Sequence, residues 1–502
     1  MAALGALQTL AFVHTAAWWL PLLGTAVLAA LVWRASPDRA AWLGWLYGSA
    51  WLAAGTWWLF ISLHRYGGLP AWMAVLAVAL LGMGLSLYLA LAMAAFARLR
   101  CGRPAVDVAL FATGWMLAEL ARTVIFTGFP WLASGYAQVD GPLASWAPWV
   151  GVTGIGMLGA AVSALLAVAW HERRRPRRAL AATSLAVLVP LLSATIGPRE
   201  FSRPAGELSV SLLQGNVPQE QKFAMEHVPQ AMAWMAQALQ QARGELVVAP
   251  ETAVPLLPEQ LAELVPDYWP AILARFESSG QAALIGVPLG DFSSGYTNSV
   301  LGLSAATAGR EPYRYDKVHL VPFGEFIPAG FRWFTQMMDI PLGDFARGPL
   351  NAPSFPVRDQ RVAPNICYED LFGHELAQRF ADPATAPTVM VNVSNIGWFG
   401  NTIAVPQHLN ISRLRALEFQ RPMLRATNTG ATAIVDHRGR VQASLPPFSQ
   451  GVLEGRVQGR DGLTPFARWS ARFGLGPWLA LAGVVLALAW GCSRSAGARG
   501  AS

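Results

Sequence analysis

The chain has 502 residues, of which 54% are hydrophobic and only 13% are charged. Soluble domains carry about 25% charged residues, so this composition excludes an ordinary soluble protein and predicts membrane-spanning segments. The net charge of +7 comes from arginines that cluster beside apolar runs, without an aromatic-basic stripe. Nucleic-acid binding is therefore not expected.

Seven apolar runs are long enough to cross a bilayer, and a shorter run at 1–13 is a candidate for an eighth span. The seven runs lie at 16–33, 42–63, 71–97, 105–126, 150–170, 179–196 and 475–491. The sequence therefore predicts a membrane α-helical bundle of about eight transmembrane helices. Seven of these helices belong to residues 1–196, and the last belongs to residues 471–502.

Basic residues follow alternate apolar runs. They include Arg34 and Arg39, then Arg98, Arg100 and Arg103, and then the segment HERRRPRR at 171–178. The loop 127–149 between them has no basic residue. Because basic loops stay in the cytoplasm, both termini are expected there and residues 197–470 are expected on the opposite side.

Two charged residues, Glu119 and Arg122, lie three positions apart within one of these runs, so they can pair on a helix. A charge inside a membrane is costly, which makes the pair a candidate for a functional site. A structural tie between spans is an equally good interpretation.

Residues 197–470 show the pattern of an α/β domain. Strands are predicted at 208–217, 244–255, 282–290, 362–370 and 387–395, and helices at 228–243 and 408–422. Several of these strands end in polar residues, and the active sites of α/β domains form at strand ends.

Cysteine and lysine are both rare in this chain. Cys101 and Cys492 lie at the ends of apolar runs, so Cys367 is the only cysteine of the α/β domain, and no disulfide framework is expected. Only two of the 37 basic residues are lysines, Lys222 and Lys317. Lysine is preferred to arginine where a shifted pKa or a compact ammonium is needed, as in catalysis.

Three motifs combine into a candidate nucleophilic site. VVAPETAVP contains Glu251, YDKVHLVPFGEFIP contains Lys317, and NICYEDL contains Cys367. A thiol nucleophile needs a base and a nearby cation, and Glu251 and Lys317 supply these groups. Glu325 is a candidate for orienting the lysine, and Glu369 lies beside the nucleophile. Taken singly, each residue is better explained as an ordinary polar residue, and the cysteine as a small buried hydrophobe.

Several motifs resemble known families. APET, DKVHLVPFGEF and NICYED, in this order, resemble the nitrilase superfamily, as does SRLRALEFQRPMLRATNTG at 412–430. The loop TGFPWLASGYAQVDGPLASWAPWVGVTGIG at 127–156, the Glu119/Arg122 pair, QGNVPQ and the last span resemble the apolipoprotein N-acyltransferase family. This resemblance implies a nitrilase-like αββα sandwich, of four layers, for residues 197–470.

The resemblance also implies roles for individual residues. Glu251 is then the general base, Lys317 the oxyanion-stabilising cation and Cys367 the acylated nucleophile. The matched supporting residues are Asn298, Glu325, Tyr368 and Glu369, and the residues expected near substrate are Phe223, Trp398 and Phe399. Where the family usually reads SNDAWFG, this chain reads SNIGWFG, with Ile396 in place of Asp. No cofactor is implied, and the scattered histidines do not have the spacing of a metal site.

The apolar, aromatic segment 328–348, which includes Phe331 and Met337, is interpreted as a lid that contacts lipid. The other interpretation is a loop packed on the core of the domain. Either way, its aromatic and methionine side chains are suited to contact with apolar groups.

The implied reaction is a two-step acyl transfer through a thioester on Cys367. A phospholipid, with phosphatidylethanolamine as the expected donor, acylates the enzyme, and the N-terminal diacylglyceryl-cysteine of an apolipoprotein accepts the chain. The expected enzyme is a monomer of the bacterial inner membrane with its catalytic domain in the periplasm. Two alternatives are a membrane-anchored nitrilase-type amidase that uses water, and a transporter or scaffold whose domain has lost catalysis.

Overall fold

The computed structural model describes residues 1–196, 199–222, 224–291, 293, 295–328 and 345–500. The chain divides into two compact units. The first comprises Met1–Phe60, Pro70–Arg199 and Phe473–Ser502, and the second comprises Ile61–Leu69 and Glu200–Arg472. The short segment Ile61–Leu69 thus belongs to the second unit, although its first residues lie in a predicted apolar run.

The first unit is helical. Its helices are Ala2–Leu7, Trp19–Val32, Pro37–Gly55, Leu59–Ile61, Ala71–Leu85, Leu87–Leu99, Pro104–Val124, Ala147–His171, Pro176–Ile196 and Gly476–Gly500. Five helical segments of the described chain are long and apolar enough to cross a membrane. They are Thr15–Val32, Ala71–Leu99, Pro104–Thr127, Pro142–His171 and Gly476–Ser495.

The predicted number of eight spans is not confirmed, because the runs at 1–13, 42–63 and 179–196 are not among these five segments. The run at 1–13 forms the short apolar helix Ala2–Phe12. Helix Pro37–Gly55 includes Asp38 and Arg39 in its first turn, and helix Pro176–Ile196 begins with Pro-Arg-Arg. The number eight therefore stays a prediction.

Glu119 and Arg122 are both buried and lie 3.7 Å apart. Arg122 Nη2 donates to the carbonyl oxygen of Leu132 at 3.1 Å, and Glu119 Oε1 accepts from the backbone N–H of Ser134 at 2.7 Å. The pair therefore fastens helix Pro104–Val124 to the loop that follows it. These contacts favour the interpretation as a structural tie.

Cys101 and Cys492 form a disulfide, with Cα atoms 5.7 Å apart. The sequence analysis expected no disulfide framework and did not anticipate this single bond. The two residues are 391 positions apart, and the last helix brings them together by packing against helix Pro104–Val124. Such a tertiary contact between distant helices is not encoded in the spacing of the cysteines.

The second unit is built on two six-stranded sheets. Their strands are β1 Arg203–Gln214, β2 Leu246–Val248, β3 Ala282–Asp291, β4 Gly295–Leu303, β5 Tyr313–Asp316, β6 Phe355–Val357, β7 Gln360–Ile366, β8 Val389–Ser394, β9 Met423–Thr427, β10 Ala433–Val435, β11 Val441–Ser444 and β12 Gly451–Asp461. The strand orders are β12-β1-β2-β3-β4-β5 and β11-β10-β9-β8-β7-β6. In each sheet three central strands are parallel, β1-β2-β3 and β7-β8-β9, and antiparallel strands flank them.

The two sheets pack face to face through one apolar core, to which β1, β2 and β3 contribute from one side and β7, β8 and β9 from the other. Helices Val228–Gln241, Pro258–Leu264 and Tyr268–Glu277 cover the outer face of the first sheet. Helices Gly373–Leu376, Ala404–Phe419 and Pro465–Phe473 cover the second. The predicted four-layer αββα sandwich is confirmed.

Candidate active site

Four polar residues follow strand ends and meet at one place. Lys317 comes directly after β5, Cys367 directly after β7 and Asn395 directly after β8, while Glu251 lies three residues beyond β2. β2, β7 and β8 belong to the parallel parts of the two sheets, so their carboxyl ends lie on a common edge. This edge holds the three residues that the sequence predicts to be catalytic.

Lys317 is buried between two carboxylates. Its Nζ lies 2.9 Å from Glu325 Oε1 and 3.3 Å from Glu251 Oε1. Burial acts to lower the pKa of Lys317, but the two carboxylates outweigh it, so the pKa is raised above its ordinary value. The ammonium is therefore a permanent charge, suited to stabilising an oxyanion.

Asn298 connects the same two carboxylates from β4. Its side-chain nitrogen donates to Glu251 Oε1 and to Glu325 Oε1, each at 2.7 Å. Its backbone carbonyl accepts from the N–H of Lys317 at 2.8 Å. The remaining oxygen of Glu251, Oε2, accepts from the N–H of Asn395 at 2.8 Å. These hydrogen bonds fix the positions of Glu251, Glu325, Lys317 and Asn298.

Cys367 has a left-handed backbone with φ of 53°, which is unusual for a residue other than glycine. Two side chains hold this bend through the cysteine's carbonyl oxygen: Asn392 Nδ2 at 3.1 Å and His408 Nε2 at 3.2 Å. Arg425 Nη2 lies 3.1 Å from His408 Nδ1, and arginine can only donate. His408 must therefore carry its proton on Nε2, the nitrogen that faces Cys367.

The Cys367 thiol rests in its protonated form. Burial raises its pKa, and the charge of Glu251 raises it further, while the ammonium of Lys317 acts to lower it. A thiol with a raised pKa is a weak nucleophile unless a base removes its proton during the attack. Glu251, whose charge acts on the thiol, is the candidate for this base.

Glu369 links the lysine segment to the nucleophile segment. Its Oε1 accepts from the backbone N–H groups of Val318 and His319 at 2.6 and 3.2 Å. Its Oε2 accepts from the N–H of Ile366 at 2.6 Å and from the hydroxyl of Tyr315 at 2.8 Å. Glu369 thus connects the backbone on either side of the site, at the residues next to Lys317 and Cys367.

The remaining sequence candidates lie around this cluster. Tyr368 is buried, and its ring contacts those of His319 and Phe372 at 5.7 and 5.3 Å. Trp398 and Phe399 form a short 3₁₀ turn after β8, and Phe399 packs on the apolar cluster that includes Ile396. Trp398 and Phe399 thus lie near the end of β8, and their contact with substrate stays a prediction.

The segment Ile61–Leu69 contacts Trp398 through two of its residues. Ser62 Oγ donates to the carbonyl oxygen of Trp398 at 2.7 Å, and the ring of Tyr66 meets the Trp398 ring edge-on at 5.5 Å. Phe223, Phe331 and Met337, with most of the proposed lid at 328–348, lie outside the described residues.

Ile396, which stands where the resembled family usually has Asp, is fully buried. Its side chain packs with Val405 and Ala431 in an apolar cluster. The loop is held instead by Asn395, whose Nδ2 donates to Gln219 Oε1 at 2.8 Å and whose Oδ1 accepts from Asn428 at 3.1 Å. The loop therefore keeps its polar anchors despite the apolar residue.

Lys222 also reaches the site, and sequence reasoning did not place it there. It is buried, and its Nζ donates to the backbone carbonyl oxygen of Glu251 at 3.0 Å. The one feature of the sequence that could have indicated a role for Lys222 is the rarity of lysine, since the chain has only two. Its sequence neighbourhood did not indicate the contact, because Glu251 is 29 positions further along the chain.

Two family models match the chain. Residues 4–165 match the apolipoprotein N-acyltransferase N-terminal domain, and residues 209–462 match the carbon-nitrogen hydrolase domain. The second match includes Glu251, Lys317 and Cys367.

Curated relatives match over almost the whole length. An apolipoprotein N-acyltransferase of Verminephrobacter eiseniae is 53% identical, over 91% of this chain and 89% of the relative. One of Ralstonia nicotianae is 46% identical, over 97% of this chain and 92% of the relative. Together with the αββα fold and the clustered Glu251, Lys317 and Cys367, these matches show that the chain belongs to the apolipoprotein N-acyltransferase family.

Proposed function

We propose that this membrane enzyme N-acylates lipoproteins through a thioester on Cys367, with Glu251 as general base and Lys317 as the oxyanion-stabilising cation. The observation that carries the proposal is the buried Glu251–Lys317–Glu325 cluster beside Cys367. Such a cluster supplies a base, a fixed cation and a nucleophile within one site.

In the first step, Glu251 takes the proton of the Cys367 thiol as sulfur attacks the ester carbonyl of a phospholipid. The ammonium of Lys317 stabilises the negative charge that develops on the carbonyl oxygen. The ester C–O bond then breaks, and protonated Glu251 returns the proton to the departing lysophospholipid oxygen. The enzyme is left as a Cys367 thioester.

In the second step, the α-amino group of a diacylglyceryl-cysteine attacks the thioester. Glu251 accepts a proton from the attacking nitrogen, and Lys317 again stabilises the oxyanion. The C–S bond breaks, the proton passes to the Cys367 sulfur, and an amide is formed. The two transfers share one set of residues, as expected for a ping-pong reaction.

Phosphatidylethanolamine is the donor in this proposal, and the enzyme acts as a monomer in the bacterial inner membrane. The apolar helices support membrane insertion. The alternation of basic loops supports a periplasmic catalytic domain of residues 197–470 and cytoplasmic termini. Trp398 and Phe399 are the proposed contacts with substrate.

The acceptor decides between transferase and hydrolase. Enzyme acylated with a labelled chain should lose its label to a diacylglyceryl-cysteine peptide far faster than to water, and the product should be an amide. The matched control is the same peptide with an acetylated α-amine, which should leave the thioester intact. Equal rates of loss with and without the free amine would instead identify an amidase-type hydrolase.

A further inference from the structure

Lys222 is a second buried lysine at the active site, and the two transfer steps above do not use it. Its side chain is only 5% exposed, and its Nζ lies 3.0 Å from the carbonyl oxygen of Glu251. The charges of Glu251 and Cys367 both act on its pKa, so its ammonium lies within electrostatic range of base and nucleophile.

The loop that carries Lys222 is fastened to the catalytic edge. Val217 is bonded through both its N–H and its carbonyl oxygen to the side chain of Asn428, at 3.0 and 2.8 Å. Gln219 accepts from Asn395, the residue whose N–H binds Glu251. The loop therefore holds Lys222 in a fixed position.

The contact falls on a bent part of the backbone. Thr252, directly after Glu251, has a φ of 51°, in the left-handed region. Gly286 makes room for this bend, because a Cβ there would lie 2.3 Å from the carbonyl oxygen of Pro250. The hydrogen bond from Lys222 satisfies the Glu251 carbonyl at the start of the bend and so helps to aim its carboxylate.

The charges of the buried cluster also require a second cation. Glu251 and Glu325 together carry two negative charges, and Lys317 supplies one positive charge between them. A net negative site opposes formation of a thiolate or an oxyanion. Lys222 brings the cluster formed by these four side chains to neutrality.

We propose that Lys222 is a positioning residue for the acylation step, which orients Glu251 through its backbone and supplies the second positive charge that the negative intermediates need. The inference rests on the proposed function, since it assigns Lys222 to the same site and the same thioester chemistry. No new bond or proton transfer is added to the two steps.

The burial of Lys222 predicts that the rate of acyl-enzyme formation depends on pH. Burial lowers the pKa of Lys222 to about 8, although Glu251 and Cys367 act to raise it. Lys222 is therefore charged below pH 8 and loses its charge as the pH rises through that value. The pKa values of Lys317 and Cys367 are raised instead, so neither group titrates there.

The test is the single-turnover rate of acyl-enzyme formation from phosphatidylethanolamine vesicles between pH 6 and 10, read by intact mass on the full-length protein. The variants are Lys222→Met, which removes donor and charge, and Lys222→Arg, which keeps both at every pH. Arg65→Gln is the matched control. This variant removes an exposed cation that pairs with Glu220, a residue of the loop that carries Lys222. Because Arg65 is exposed, solvent screens its charge.

We expect the wild-type rate to fall as pH rises through about 8. The rate of Lys222→Arg should not fall above pH 8. The rate of Lys222→Met should be about tenfold lower than wild type at pH 7 and should also show no fall above pH 8. Arg65→Gln should have the same rate and the same pH profile as wild type. A Lys222→Met profile equal to wild type, or a Lys222→Arg profile that keeps the fall, overturns the proposal. No acyl-enzyme in the wild type would reject the proposed function itself, and this inference with it.

Discussion

At the scale of single residues, the site depends on hydrogen bonds that keep like charges together. Glu251 and Glu325 repel each other, and their separation is set by Lys317 and by the amide of Asn298. Asn298 is neutral and donates to both carboxylates, so it stabilises the arrangement without changing the charge of the cluster. Its removal should therefore affect catalysis more than folding.

Asn298→Ala should slow acyl-enzyme formation about 10- to 100-fold, the cost of losing two hydrogen bonds to charged groups. The measurement is the single-turnover rate with phosphatidylethanolamine, with the unfolding midpoint as a check on folding. Ser299→Ala is the matched control, because Ser299 lies on the opposite face of β4 and bonds to Thr297 and Asp316. Equal rates for the two variants would contradict a positioning role for Asn298.

Ile396 gives a second prediction at this scale. A carboxylate at this position would lie in the apolar cluster of Val405 and Ala431, where the isoleucine is fully buried. Ile396→Asp should therefore lower the free energy of unfolding by roughly 3 kcal/mol, whereas Ile396→Val should cost only about 1 kcal/mol. Thermal unfolding in detergent measures both. An Asp variant as stable as the Val variant would show that the loop supplies a partner for the acid.

At the scale of elements, the strands that carry chemistry were well predicted from sequence. The run predicted at 362–370 is β7 at Gln360–Ile366, and that at 387–395 is β8 at Val389–Ser394. Both are mostly buried, and each contains a short run of apolar residues that is visible in the sequence. The strand predicted at 244–255 is only Leu246–Val248, because Pro250 and the left-handed Thr252 bend the chain away from the sheet.

Other parts of the site could not be read from the sequence. The contacts of Lys222 with Glu251, of His408 with Cys367 and of Ser62 with Trp398 join residues that are 29, 41 and 336 positions apart. Such contacts depend on how strands and loops meet, and no local pattern of hydrophobicity or turn residues encodes them. The residue types gave candidates, and tertiary structure decided which of them meet.

At the scale of the whole molecule, two units of different composition form one enzyme. The apolar helices of the first unit account for the membrane-like composition, and the αββα unit contains the buried cluster proposed to be catalytic. Both expected substrates are lipids or lipidated peptides, so a membrane-embedded unit joined to a thiol acyltransferase is chemically consistent. Five of the eight spans predicted from sequence correspond to helical segments of the described chain that are long and apolar enough to cross a membrane.

The most direct test of the central claim is the intact mass of the purified protein after incubation with phosphatidylethanolamine, compared with Cys367→Ala. We predict one fatty-acyl increment in the wild type, located by peptide mapping on Cys367, and none in the variant. The increment should disappear on addition of a diacylglyceryl-cysteine peptide as its amide forms. An unmodified wild-type protein that is folded, or an increment that persists in Cys367→Ala, would contradict a thioester mechanism at this cysteine.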